Sequence, residues 1–161
     1  MTNQDKVLIE INEFRFKDSK ECLDSYDNKK FKFSPWIENI VQKYNYKYDE
    51  KKLPIKLIKK SVRDLGFSDP KELQEIYRKF LELGYNLVSP ELAIYSRLLF
   101  TQQNVGEWLR FATPLDSMID TDGVPHLPKL GKALDTFFIE TYWSYPKAIF
   151  HPHNDFIVVK K

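Results

Sequence analysis

The chain has 161 residues, of which 42% are hydrophobic and 30% charged, and its net charge at neutral pH is +2. This length suits a single domain over residues 1–161, and the aromatic fraction of 15% argues against an intrinsically disordered chain. The single cysteine excludes an intramolecular disulfide, and no run approaches the roughly 18 apolar residues of a membrane span. No signal peptide is recognisable, so we expect a cytoplasmic protein with no membrane partner.

The N-terminal third contains two predicted strands. Val7, Ile9 and Ile11 alternate with less apolar residues and predict a strand over about residues 6–17, although Val7, Ile11 and Phe14 also have helical spacing. Phe31 and Phe33 predict a second short strand after a polar turn.

Three predicted helix starts share one sequence pattern, in which a Ser or Asp at the N-cap precedes a proline at the first helical position. They are Ser34-Pro35, Ser68-Asp69-Pro70 and Ser89-Pro90. Together with apolar residues at helical spacing, they predict helices over about 35–48, 70–83 and 90–103. Spacing alone predicts two further helices, over about 54–65 and 129–142.

The predicted helix over 90–103 differs from the others because its apolar residues point in every direction, which is typical of a central, buried helix. Arg97 lies on this helix and needs a partner, since an unpaired buried charge is very costly. The acidic candidates are Asp64, Asp116 and Glu140.

The C-terminal third combines a long loop with a predicted hairpin. Residues 113–128 hold three prolines and little periodicity, which is typical of a loop that is functional or mobile. Two apolar runs flank His151-Pro152-His153-Asn154-Asp155 and predict a C-terminal hairpin. The expected fold class is α+β: a helix-rich single domain of about five helices around the central apolar helix, with a small antiparallel sheet from the N-terminal strand and the C-terminal hairpin.

The predicted hairpin also carries the most suggestive chemical cluster. His151, His153 and Asp155 are residue types that hold zinc, manganese or iron, and the 113–128 loop offers further donors at Asp120, Asp122 and His126. A divalent metal held there predicts a metal-dependent hydrolase or nuclease. The simpler interpretation is an ordinary turn, since Pro, His, Asn and Asp are common turn residues.

A second cluster is basic. If residues 54–65 form a helix, one arc of its surface carries Lys56, Lys59, Lys60 and Arg63, with Lys52 extending it and Lys43 and Lys47 on the preceding helix. Such a face predicts binding to nucleic acid or to an acidic protein, and the alternative is a solvated lysine face.

Trp108 and Arg110 form a third candidate, because Trp and Arg are enriched at the centres of protein interfaces. Trp108 could equally fill the core. No glycine-rich phosphate loop, nucleophile elbow, His-Glu-x-x-His or Cys-x-x-Cys motif is present, so we assign no catalytic residue and no cofactor. The sequence therefore predicts a non-enzymatic interaction protein of inhibitor, immunity or effector type, which binds a protein partner; the metal-dependent hydrolase and the nucleic-acid-binding protein are the alternatives.

Overall fold

The computed structural model describes residues 5–160, and within that range the chain forms nine strands and four α-helices. The strands are β1 (Val7–Ile11), β2 (Phe31–Phe33), β3 (Ile55–Ser61), β4 (Lys71–Glu72), β5 (Leu109–Phe111), β6 (His126–Lys132), β7 (Phe137–Trp143), β8 (Ile149–Phe150) and β9 (Asp155–Val159). The helices are α1 (Ser19–Asp24), α2 (Pro35–Tyr44), α3 (Leu73–Glu82) and α4 (Pro90–Leu99).

Seven of these strands form one mixed sheet in the order β1-β3-β9-β5-β6-β7-β2. Two neighbouring pairs are parallel, β5 with β9 and β2 with β7, and the other neighbours are antiparallel. The remaining strands, β4 and β8, pair with each other in a separate two-stranded sheet.

The predicted fold class, helix-rich with a small sheet, is wrong, because strands hold 29% of the chain and helices 27%. The helix predicted over 54–65 is strand β3, and the helix predicted over 129–142 is the antiparallel pair β6–β7. The predicted C-terminal hairpin is also wrong, because β8 pairs with β4 while β9 lies between β3 and β5. The N-terminal strand β1 pairs with β3 instead.

The physical reason for the errors at β3 and β6–β7 is that both faces of the sheet are covered. Leu57 and Ile58 are neighbours in β3, yet they belong to two different cores on opposite faces of the sheet. A strand buried on both faces loses the alternation of apolar and polar residues that marks a half-buried strand. Its apolar residues then match helical spacing by coincidence.

The helices are divided between the two faces of the sheet. Helices α1, α2 and α4 contribute to the larger core, on the face that carries Leu57, Leu109 and Ile157. Helix α3 packs on the opposite face, against Phe156 and Val158. The sheet is therefore the middle layer of the molecule, and β9 supplies side chains to both cores.

The three helix starts that contain proline have different outcomes. Helices α2 and α4 begin at Pro35 and Pro90 as predicted, and the Ser34 hydroxyl accepts a hydrogen bond from the Ile37 amide. Helix α3 begins at Leu73 rather than at residue 70, because Lys71 and Glu72 pair with β8. Helix α4 is buried at every position from Pro90 to Arg97, as its uninterrupted apolar surface predicted. None of the helices in residues 5–160 is both long and apolar enough to cross a lipid bilayer.

Arg97 is fully buried on α4, and its partners are neutral rather than acidic. Its guanidinium donates to the Gln103 side-chain oxygen at 2.7 Å and to three backbone carbonyls, those of Phe100 at 2.6 Å, Gly131 at 3.0 Å and Phe138 at 3.1 Å. Burial lowers the pKa of the Arg97 guanidinium to about 10. The carbonyls satisfy the charge and tie α4 to β6 and β7, whereas the predicted partners Asp64, Asp116 and Glu140 take no part.

Trp108 lies directly over Gly131 in β6, on the face of the sheet away from α4. A methyl group at Gly131 would approach the indole ring to 2.6 Å at Cη2 and 2.8 Å at Cε3, which is closer than van der Waals contact allows. We expect Gly131→Ala to reduce the free energy of unfolding by about 2 kcal/mol through this overlap. Urea denaturation measures the change. In a Trp108→Ala background the same substitution should cost about 0.5 kcal/mol or less, and an equal cost in both backgrounds would contradict the overlap.

Candidate functional site

A cleft of about 360 Å³ opens beside the N-terminal end of α2, where β6 begins and β7 ends. We call it the aromatic cleft and define it by Trp36 of α2, Asp120, Asp122 and Val124 of the loop between β5 and β6, His126 of β6, and Thr141, Tyr142 and Trp143 of β7. A pocket of this volume that combines aromatic walls with a few converging polar groups is typical of a binding site.

Asp120 organises the loop that forms one wall of the cleft. Its side chain is 1% exposed, and one carboxylate oxygen accepts hydrogen bonds from the amides of Asp122 at 2.8 Å and Val124 at 3.0 Å. The other oxygen contacts His126 Nε2 at 2.8 Å. Burial alone raises the pKa of the Asp120 carboxyl, but the hydrogen bonds from His126, Val124 and Asp122 outweigh it and hold that pKa below its usual value.

The ionised Asp120 fixes which ring nitrogen of His126 carries the proton when the imidazole is neutral. Because a carboxylate only accepts hydrogen bonds, Nε2 of His126 carries the proton that it shares with Asp120. In the neutral imidazole Nδ1 is then an acceptor, and it receives the hydroxyl proton of Thr141 across 2.8 Å. Carboxylate, imidazole and hydroxyl thus form one continuous hydrogen-bonded chain along the floor of the cleft.

The same loop is fastened to α2 along its length. Asn39 exchanges two hydrogen bonds of 3.2 Å with Thr121, through the side-chain amide in one direction and the backbone amide in the other. Lys43 donates to the carbonyl of Ile119 at 3.0 Å, and Tyr46 donates to the carbonyl of Ser117 at 2.5 Å. The wall of the aromatic cleft is therefore held in place by side chains from α2 and the residues that follow it.

Two tryptophans of the cleft remain accessible to solvent. Trp36 is 45% exposed, and its ring packs against the His126 ring with centroids 5.3 Å apart. Trp143 is 57% exposed and lies opposite His126 in the β6–β7 register. Large aromatic side chains with this exposure at a concave, rigid place are unusual unless something covers them.

A second cleft, of about 320 Å³, lies on the other side of the sheet around Arg110. We call it the Arg110 cleft; its lining residues are Gly106, Glu107, Trp108, Arg110, His153, Asn154 and Asp155. The Arg110 guanidinium lies 5.9 Å from the ring centre of Tyr142 and 5.7 Å from that of Phe150. Its Nε is buried without a hydrogen-bond partner among residues 5–160.

The Arg110 cleft holds charges of both signs that are partly desolvated. Burial lowers the pKa of Arg110 and that of Lys129, its cross-strand neighbour, whose ammonium lies 4.2 Å from the Trp108 ring centre. Burial also raises the pKa of Asp155. Glu107, on the rim, pairs with Lys59 at 3.3 Å. Because the positive and negative charges are close to balanced, the Arg110 cleft does not predict whether its ligand would be cationic or anionic.

Five of the six residues predicted to bind metal fall into these two separate clefts. Asp120, Asp122 and His126 lie at the aromatic cleft, whereas His153 and Asp155 line the Arg110 cleft and His151 lies on the exposed turn before β9. The rings of His151 and His153 are stacked with centroids 5.8 Å apart. Across residues 5–160 no three His, Cys, Asp or Glu side chains lie close enough together to share one metal ion. Metal binding stays a prediction, and at Asp120 it would have to displace three hydrogen bonds.

The predicted lysine arc is not formed, because residues 55–61 are a strand. Lys56 and Lys60 point to one side of the sheet and Lys59 to the other, since alternate residues of a strand face opposite ways. Lys60 contacts Asp5 at 2.5 Å, and Lys59 contacts Glu107. The other members of the predicted basic set lie elsewhere: Lys47 pairs with Asp18, Lys43 donates to the loop carbonyls, and Lys52 and Arg63 lie in the short 3-10 helices that flank β3. Nucleic-acid binding stays a prediction without that arc.

Sequence reasoning missed the aromatic cleft because its residues come from three separate segments of the chain. No functional role is assigned to Trp36 or Trp143 from the sequence, and Thr141 falls inside the helix predicted over 129–142. One signal was available in the Asp120–His126 stretch, where Asp120 and Asp122 precede His126 across a tight turn. From the sequence, that stretch predicts metal ligation rather than a hydrogen-bonded chain.

Comparison of the chain with protein-family models, with curated proteins and with solved structures finds no match.

Proposed function

We propose that this protein is a non-enzymatic interaction protein that binds a protein partner at the aromatic cleft. The observation that carries the proposal is the pair of half-exposed tryptophans, Trp36 and Trp143, at a concave site. Tryptophan is among the residues that contribute most to binding energy at protein interfaces, above all where it lies in or beside a pocket.

The rigidity of the cleft supports the same proposal. Asp120, Asn39 and Lys43 fix the loop wall before any partner arrives. A preformed site loses little conformational entropy on association, so more of the contact energy is retained as affinity. An inhibitor or immunity protein, the type predicted from the sequence, would act through such binding without chemistry of its own.

One observation favours a second candidate function, acyl-group hydrolysis. Thr141, His126 and Asp120 supply a hydroxyl, a base and an orienting carboxylate in the order that hydroxyl nucleophiles use. Binding is better supported, because the amides of Asp122 and Val124 are already bonded to Asp120 and so cannot stabilise an oxyanion. Hydrolysis of p-nitrophenyl acetate that Thr141→Val abolishes would favour the enzyme; equal background rates in both proteins would exclude it.

The proposal is tested by placing a photo-reactive benzoylphenylalanine at position 143 and irradiating the protein in its own host. We expect one dominant protein adduct, which mass spectrometry identifies. The matched control carries the same group at Leu134, which is 82% exposed and lies outside the cleft. Adducts that are absent, or identical at both positions, would contradict a partner site at the aromatic cleft.

With the identified partner purified, we expect Trp143→Ala to weaken binding about 30-fold, or about 2 kcal/mol. The same substitution should leave the free energy of unfolding within about 1 kcal/mol of the wild type, because the side chain is more than half exposed. Calorimetric titration measures the affinity and urea denaturation measures the stability. A Leu134→Ala control should bind with unchanged affinity, and a loss equal to that of Trp143→Ala would contradict the prediction.

A further inference from the structure

The aromatic cleft has a one-sided charge. Two of its lining residues, Asp120 and Asp122, are acidic, and among the described residues that line it none is lysine or arginine. Lys43 contacts the loop wall, where it donates to the carbonyls of Ile119 and Asp120, but it does not line the cleft. The site therefore presents negative charge to whatever enters it.

The two acidic groups have different roles. Asp120 is buried beneath the loop, and its hydrogen bonds favour the ionised form of its carboxyl. Asp122 is exposed at the rim, and the only hydrogen bond it makes among the described residues is through its backbone amide, so its carboxylate is free to accept from a ligand. Asp120 therefore contributes negative charge beneath the cleft, and Asp122 supplies the oxygen atoms that can accept hydrogen bonds from a ligand.

The aromatic groups favour the same sign of ligand. The face of an indole ring carries negative potential, and tryptophan is the side chain that attracts cations most strongly. Trp36 and Trp143 are both accessible at the cleft, and the third aromatic wall is the His126 ring, which packs against Trp36. Aromatic faces beside an unpaired carboxylate match a flat cation that has several N–H donors.

We propose that the aromatic cleft binds an arginine side chain of the protein partner, with the guanidinium against the indoles of Trp36 and Trp143 and its N–H groups donating to the Asp122 carboxylate. This inference rests on the proposed function and names the group that the cleft recognises. Arginine fits better than lysine because its guanidinium is planar, stacks on aromatic rings and is more weakly hydrated.

The test uses the three tryptophans of the 161-residue chain as reporters. The probe is arginine with acetylated and methylamidated ends, added while the indole N–H signals are followed by ¹⁵N NMR. We expect the Trp36 and Trp143 signals to move with a dissociation constant in the millimolar range, while Trp108, which lies in the Arg110 cleft, stays still. The same derivative of citrulline, which is neutral and nearly isosteric, should bind about fivefold more weakly.

Two variants separate the site from a general surface effect. Asp122→Asn should weaken binding of the arginine probe about fivefold, because it removes the charge and keeps the shape. The matched control is Asp116→Asn, which removes an exposed carboxylate of the same loop outside the cleft and should leave binding unchanged. Equal binding of arginine and citrulline, equal effects of the two variants, or no shift up to about 50 mM probe would each overturn the proposal.

The result is also distinguishable from failure of the proposed function. A partner adduct at position 143 with no preference for arginine would overturn this inference alone, because the cleft would bind a protein through another group. Arginine binding without any partner adduct would show that the cation comes from a small molecule. That result would overturn both the proposal of a protein partner and the proposal that the cation is an arginine side chain of that partner. A partner whose affinity falls when one of its arginines is changed to glutamine would support both proposals together.

Discussion

Replacing Arg97 by methionine is expected to reduce the free energy of unfolding by about 4 kcal/mol, while the same change at Arg110 costs about 1 kcal/mol or less. Arg97 satisfies the Gln103 side chain and three backbone carbonyls, and methionine leaves these buried acceptors without a donor. Arg110 makes no hydrogen bond within residues 5–160, and its Nε, like that of Arg97, is buried without a partner. Methionine keeps the packing against Tyr142 and Phe150 and removes a charge that forms no salt bridge within residues 5–160.

Urea denaturation of the two variants measures the difference directly. Since a domain of this kind is stabilised by about 5–15 kcal/mol in total, Arg97→Met can leave too little folded protein for an accurate curve. Arg97→Lys provides a second point, because lysine keeps the charge but reaches fewer of the four acceptors. Its loss of unfolding free energy should fall between that of Arg97→Met and that of Arg110→Met. Equal losses for Arg97→Met and Arg110→Met would show that burial of the guanidinium, rather than its hydrogen bonds, determines the cost.

Replacing Asp120 by alanine is expected to cost about 3 kcal/mol, because the amides of Asp122 and Val124 and the Nε2–H of His126 all lose their acceptor. Asp120→Asn should cost about 1 kcal/mol. The asparagine oxygen can still accept from the loop amides, and its NH₂ group can donate to His126 if the imidazole proton moves to Nδ1. The hydroxyl of Thr141 then accepts instead of donating.

The tautomer of His126 and the pH dependence of stability test this interpretation independently of the changes in unfolding free energy. Imidazole ¹⁵N spectra should show the proton of His126 on Nε2 in the wild type and on Nδ1 in Asp120→Asn. Since the folded state lowers the pKa of the Asp120 carboxyl, this group contributes stability above its unfolded value near 4, and that contribution is lost as the pH falls through the folded pKa. Acid should therefore destabilise the wild type more steeply than Asp120→Asn below about pH 4, and parallel curves would contradict the assignment.

The parts of the fold that the sequence predicted are those with local signals. Helices α2 and α4 each have a serine at the N-cap position and a proline at the first position, and both begin where this local pattern predicts, although only Ser34 makes the capping hydrogen bond. The buried character of α4 also follows from its own residues, since an apolar surface on all sides has to be covered. Neither prediction required knowledge of any distant part of the chain.

The sheet was predicted poorly because its strands are defined by their neighbours. Ile55, Ile58 and Val62 in and after β3 fall on one face of an imagined helix, and the lysines between them fall on the other. Only the pairing of β3 with both β1 and β9 shows that Leu57 and Ile58 face different cores. The aromatic cleft was missed for the same reason, because it exists only after the β6–β7 register places Trp143 opposite His126.

The position of β9 also has a consequence for how the protein is made. Although β9 is the last of the nine strands along the described chain, it lies between β3 and β5 in the sheet. Its Ile157 belongs to the larger core and its Val158 to the core on the opposite face. During synthesis from the N-terminus, the sheet therefore exists as two incomplete pieces with open edges until residues 155–159 leave the ribosome. One piece is the pair of strands β1 and β3, and the other consists of strands β5, β6, β7 and β2. The protein is thus expected to fold in a single late step rather than progressively, and to depend until then on chaperones that shield the edges of β3 and β5.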